Sequence, residues 1–216
     1  RNLVIRMYDN HPPKGNTGTL SDYIEYTATN LLDDNTNWQH IVDELLEALA
    51  TVDKSMQEEL VAKIAILTEN NAPDLSWQVD VVFKMIEYAP DQVADDVWFR
   101  LVQVVTGFEG DEATSEVLRK YAASKAFESI ANAKFAHETL IALSAHLLGE
   151  FGHLLVPDVS VASQCQVLLR HFAHVSPSCQ SAILMAYAKM SASKSSSMSK
   201  TSETIRQITD ANLDCA

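Results

Sequence analysis

Apolar residues recur three and four positions apart along most of this chain, the spacing that places them on one face of an α-helix. Trp38, Ile41, Val42, Leu45, Leu46 and Leu49 form one such stripe, and Met56, Leu60, Ile64 and Leu67 form the next. A third stripe, Trp77, Val81, Met85 and Tyr88, follows a capping residue at Asp74 or Ser76 and stops before Pro90. Val93, Val97, Leu101 and Val104 predict a fourth helix, and Val117, Tyr121 and Ile130 a fifth. Phe135, Leu140, Leu143, Leu147 and Phe151 predict a sixth, and Val161, Leu168 and Phe172 a seventh. Pro177 opens an eighth with Ile183, Tyr187 and Met190. Leu3, Val4 and Met7 read as the end of a preceding helix, and Ile205 and Ile208 as a weak last one.

No segment alternates with the period of two that a half-buried strand requires. Short connections make successive helices antiparallel neighbours, and the pairs recur at the period of HEAT and armadillo repeats. The predicted class is therefore all-α, a right-handed α-α superhelix in which stacked pairs share a continuous core. A globular helix bundle is the competing reading. Two stretches break the pattern. Residues 9–37, with HPPKGNTGTLSD inside them, are predicted to be a loop insertion, with a short helix around Tyr23 to Leu32 as the ambiguous part. Residues 191–203, SASKSSSMSKTSE, are predicted to be a flexible Ser-rich loop. Lys194 and Lys200, flanked by Lys189 and Arg206, give that loop a weak capacity for phosphate or lipid headgroups, which phosphorylation would reverse.

Composition narrows the function more than the fold. The 216 residues carry a formal charge of −13, which argues against general binding of a phosphate backbone. The charge is uneven, with 21 acidic and 7 basic residues in 1–112 but 8 and 9 in 113–216. Exposed helix faces account for the acids, and the resulting field can orient partners. Three cysteines, Cys165, Cys179 and Cys215, form no CxxC pair and suit a reduced, intracellular protein. No apolar run approaches the length of a membrane span; AILMAYA, Ala182 to Ala188, is typical of what is present. The chain opens at Arg1 with no signal peptide and reads as a piece of a longer protein.

Catalytic patterns are weak. The glycine pairs Gly15/Gly18, Gly107/Gly110 and Gly149/Gly152 do not continue into a phosphate-binding loop, and no nucleophile elbow is present. Cys165, His171, His174 and Cys179 are all capable zinc ligands, but their spacing fits no structural site, and small core cysteines are the simpler reading. His137, His146 and His153 are scattered. The acid pairs Asp33–Asp34, Glu58–Glu59 and Asp95–Asp96 are adjacent in sequence and so diverge on a helix. Trp38, Trp77 and Trp98 lie in or beside apolar stripes and read as core. No residue is put forward as catalytic, cofactor-binding or metal-binding.

Two passages carry a more specific resemblance. From Val61 to Val105 the order Lys63, Ile64, Trp77, Val79, Asp80, Asp96, Val97, Trp98, Arg100 and Gln103 resembles the trunk of the large adaptin subunits of clathrin adaptor complexes. HETLIALSAHLLGEFGHLL, His137 to Leu155, is similar to the same family's His-Glu-x-Leu helix ending in Leu-Gly-Glu-Phe-Gly. The Val97–Trp98 and Glu150–Phe151 details are most like the alpha type, and the resemblance spans Trp38 to Met190. It implies the C-terminal half of an adaptin trunk: an α-solenoid scaffold without catalysis or cofactor. The partners it implies are a second large chain and medium and small chains. Clathrin, cargo tails and phosphoinositide membrane would be reached through the whole complex, at coated pits on the cytoplasmic side. Outside the family, the competing readings are a generic HEAT-repeat scaffold and a zinc enzyme built on His171, His174 and the cysteines.

Overall fold

A computed structural model describes residues 35–107, 112–133, 135–156 and 158–192. Among them are eight α-helices, two short 3-10 turns and no strand. The architecture is all-α and of the α-solenoid class, a succession of helical pairs whose first helices begin at Asn35, Leu75, Glu112 and Val161. The readings of the first helix, of most of residues 9–37, of the Ser-rich loop beyond Ala192 and of the last weak helix lie outside the described residues. The chain divides into two compact units, Arg1–Pro73 and Asp74–Ala216.

In the first unit, α1 (Asn35–Leu49) and α2 (Lys54–Asn71) pack on one another across the loop Ala50 to Asp53. The predicted stripe of α1 is buried throughout, from Trp38 to Leu49. Leu60, Ile64 and Leu67 of α2 are buried as expected, whereas Met56, in the first turn, is exposed. Gln57 reaches back from α2 and donates through Nε2 to the Leu49 carbonyl at 3.1 Å, satisfying one of the acceptors that a helix C-terminus leaves open.

The second unit holds α3 (Leu75–Tyr88), α4 (Asp95–Gly107), α5 (Glu112–Asn132), α6 (Glu138–Phe151), α7 (Val161–Leu169) and α8 (Pro177–Ala192). Asp74 is the cap of α3, accepting from the Trp77 N–H at 2.8 Å. The helix ends at Tyr88, with Pro90 two positions on. Ser160 caps α7 by accepting from the Ser163 N–H at 3.1 Å. Helix α6 is central, packed against α5 and α8, and a 3-10 turn, Gly152–Leu155, continues it.

Four predicted stripes need correction. In α4 the buried positions are Trp98, Leu101 and Val105, while Val97 and Val104 are only half-buried. The Trp98 indole donates to Asp95 at 3.0 Å, and burying so large a ring turns the helix by about one residue from the valine register. In α5 the prediction largely misses: Val117 is 70% exposed and Tyr121 sits at the surface, while Leu118, Ala122, Ala123, Ala126 and Ile130 are buried. Alanines carry that face because the neighbouring backbone lies close, and Ser144 of α6 donates to the Ala126 carbonyl at 3.4 Å. Phe135 precedes α6 and is exposed, and Phe172 falls in a second 3-10 turn, Phe172–His174, after α7 has ended at Leu169.

Candidate functional site

The residues with chemical potential are dispersed. Cys165 on α7 and Cys179 on α8 are both buried, and burial raises each thiol to about 11, so neither is a thiolate near neutrality. The Cys179 thiol donates to the Glu138 carbonyl at 3.8 Å. His171 is buried and His174 exposed, in the turn between those helices. Among the described residues no three His, Cys, Asp or Glu side chains are grouped to hold a metal ion. His137 is the cap of α6, accepting through Nδ1 from the Thr139 N–H at 3.3 Å, and its Nε2 lies 3.1 Å from Asp91. Glu58 and Glu59 are both exposed on α2, and Asp95 and Asp96 open α4, where carboxylates favour the helix dipole. Trp38 and Trp98 are core, and Trp77 is half-buried. No described helix is long and apolar enough to cross a membrane.

The motif residues act as packing and bracing elements. Asp80 of α3 receives the Tyr121 hydroxyl at 2.8 Å and the Lys125 ammonium at 2.7 Å, tying α3 to α5. Lys63 pairs with Glu59 one turn away at 2.8 Å. The two glycines of Leu148–Gly152 are positions of close approach. A Cβ on Gly149 would stand 2.9 Å from the Ala186 Cα of α8, inside contact distance with backbone. A Cβ on Gly152 would meet the Gln164 Oε1 at 2.1 Å. Gln164 is itself buried and donates to the Gly152 carbonyl at 2.9 Å and the Val159 carbonyl at 3.2 Å, locking the turn after α6 onto α7.

Sequence reasoning passed over two arginines that close helix ends. Arg119 of α5 donates to the Val105 and Thr106 carbonyls at 3.3 and 3.0 Å, and Arg170 donates to the Ile130 carbonyl at 2.8 Å. A cation there satisfies open acceptors and complements the negative end of the dipole. Their targets lie 14 and 40 residues away along the chain, beyond what local pattern can connect.

Two grooves open on the second unit. One, of about 720 Å³, runs between the ends of α3 and α5 past Tyr88, Leu140 and Phe135, the last 88% exposed. The other, of about 520 Å³, lies between the start of α4, the start of α6 and the start of α8. Phe99 stands on its wall, stacked on Trp98 with ring centroids 4.0 Å apart, and His146 lies 5.3 and 5.7 Å from the two rings. In the second groove the His137 Nδ1 also lies 3.2 Å from the Thr139 hydroxyl.

The adaptin N-terminal region matches residues 27–215. The chain belongs to the adaptin N-terminal region family. The match extends beyond both ends of the Trp38–Met190 span in which the motifs are recognisable. Among adaptin relatives, the AP-2 complex subunits alpha-1 and alpha-2 of Arabidopsis thaliana are 44% and 45% identical over 159 residues, 73% of this chain. The AP-2 complex subunit alpha-2 of Dictyostelium discoideum is 41% identical over 72% of it. The AP-1 complex subunit gamma of the same organism is 32% identical over 57% of the chain and 13% of its own length. The chain spans about 15% of the length of the AP-2 alpha relatives it matches.

Proposed function

We propose that this chain is a trunk segment of an alpha-type large adaptin, a non-catalytic scaffold in a clathrin adaptor complex serving vesicle-mediated, endocytic protein transport. The observation that carries the reading is the family match over residues 27–215. Support for the alpha type comes from 41–45% identity to three AP-2 alpha subunits, against 32% to an AP-1 gamma subunit. Placement in the C-terminal half of the trunk rests on the Lys63–Gln103 and Leu148–Gly152 motifs alone.

In this reading the helices hold shape and present surface. The partners are a second large chain and medium and small adaptor chains. Clathrin, sorting signals in cargo tails and phosphoinositide membrane are engaged by the assembled complex, on the cytoplasmic side at coated pits; nucleic acid is not a partner. Stacked pairs contact mainly their neighbours, which leaves long faces for such subunits.

The test is affinity purification of the protein from its own cells, with mass spectrometry of what co-purifies. Stoichiometric recovery of a second large chain with medium and small adaptor chains is expected. Their absence beside some other stable partner would overturn the adaptor assignment and leave a generic HEAT-repeat scaffold.

A further inference from the structure

The groove of about 520 Å³ has a lining that selects charge. Two carboxylates, Asp95 and Glu138, border it, and among the described residues no lysine or arginine lines it. Phe99 is 42% exposed there, while Trp98 beneath it is buried. An aromatic face carries a negative quadrupole, so a ring beside carboxylates favours a cation and disfavours an anion. The Ser176 hydroxyl first, and then its N–H at 2.7 Å, hold the Glu138 carboxyl below the usual carboxylate range. The two histidines of the lining, His137 and His146, supply ring surface and hydrogen bonds. Lys189, whose charge acts on His146, is paired with Glu150.

We propose that this groove docks a basic segment of a partner protein, stacking one arginine or lysine side chain on Phe99 with its charge toward Asp95 and Glu138. Arginine is the better fit, because a planar guanidinium stacks on a ring and bonds a carboxylate at once. An anionic membrane surface is the wrong occupant, since its phosphates would meet the same two carboxylates. The inference is independent of which complex the chain serves.

The experiment is an NMR titration of the isotope-labelled chain with three synthetic dodecapeptides of glycine, serine and leucine. They differ at one central position, which is Arg, Gln or Glu. The Arg peptide is expected to bind roughly fivefold tighter than the Gln peptide, the sum of modest cation–π and exposed ion-pair contributions. Shifts should centre on the amides of Phe99, Thr139 and Ser178, and the Glu peptide should bind weakest. Phe99→Ser and Glu138→Gln should each lower the Arg preference, the double variant should abolish it, and Glu47→Gln, an exposed acid on α1, should leave it intact. Phe99 is exposed, so its substitution tests the site even if Glu138→Gln unsettles the start of α8. Equal affinity for the Arg and Gln peptides would overturn the proposal. So would an Arg preference that falls equally with Glu47→Gln, which would mean overall acidity, or shifts at the same amides on adding phosphatidylserine vesicles.

Discussion

Two seams of this molecule differ in the residues at their closest contacts. The α1–α2 seam of the first unit is made of large side chains, with Trp38, Ile41, Val42, Leu45, Leu46 and Leu49 buried along one helix. In the second unit α6 makes its closest approaches through small residues, Ser144 against the Ala126 carbonyl of α5 and Gly149 against Ala186 of α8, beside buried large ones such as Leu143 and Leu147. In the first seam stability comes from apolar area removed from water. In the second the gain is proximity, since small residues let the backbones come close enough for Ser144 to bond a carbonyl on the neighbouring helix. Large seams are damaged by deletion and small seams by addition.

Deletion in the large seam should have the biggest effect. Leu45 is completely buried, and Leu45→Ala is expected to destabilise by about 2–5 kcal/mol, read as a lowered urea midpoint with little change in slope. A cost under about 1 kcal/mol would show that the site collapses around the cavity and that the seam is less tightly packed than its burial implies.

Addition in the small seam comes next. Gly149→Ala puts one methyl group 2.9 Å from the Ala186 Cα, and backbone cannot swing aside as a side chain can. The expected cost is about 1–3 kcal/mol, against the stabilisation that Gly→Ala gives at an open helical position. A variant as stable as the parent would mean that α6 and α8 can separate freely, and close approach would no longer account for a glycine at that position.

That contrast also explains what could be read from the sequence. The stripe of α1 was legible because a leucine every three or four residues has one good explanation, burial on a helix face. The stripe of α5 was not, because alanine is at home both inside and outside, and Val117 and Tyr121 drew attention to the wrong side. Tyr121 is at the surface because its hydroxyl serves Asp80. The cap at Asp74 and the helix start at Pro177 were local chemistry and could be placed. The arginines at 119 and 170, and the Gly149–Ala186 and Gly152–Gln164 contacts, depend on distant partners and could not. The same holds for the groove, since Asp95 and Glu138 are brought together only when α4 and α6 pack.

A smaller effect should appear as pH dependence at the margin of the second seam. His171 is 7% exposed, and its Nε2 has no hydrogen-bond partner among the described residues. Burial lowers its pKa first, and the charges of Arg170 and His174 beside it lower it further, while the Ile130 backbone pulls the other way. The folded state thus resists a proton that the unfolded chain accepts, so stability is complete above the ordinary histidine range and declines as pH falls through it. The melting temperature should drop between pH 7.5 and 5.5, and His171→Gln should flatten part of that slope. An unchanged slope would assign the pH response to other groups, His146 first, since burial and Lys189 also lower its pKa.

The smallest effect is the sharpest check on which face of α5 is inside. Val117 is 70% exposed, so Val117→Ala removes little buried area and replaces a β-branched residue with the best helix former. The expected result is a gain of a few tenths of a kcal/mol, roughly the propensity difference between the two residues. If valine were the core residue that its hydropathy suggests, the same substitution would open a cavity and cost more than about 1 kcal/mol. The two readings therefore differ in sign, and a single pair of denaturation curves separates them. A loss would mean that Val117 packs inside as well, so that α5 buries a wider face than Leu118, Ala122, Ala123, Ala126 and Ile130 define.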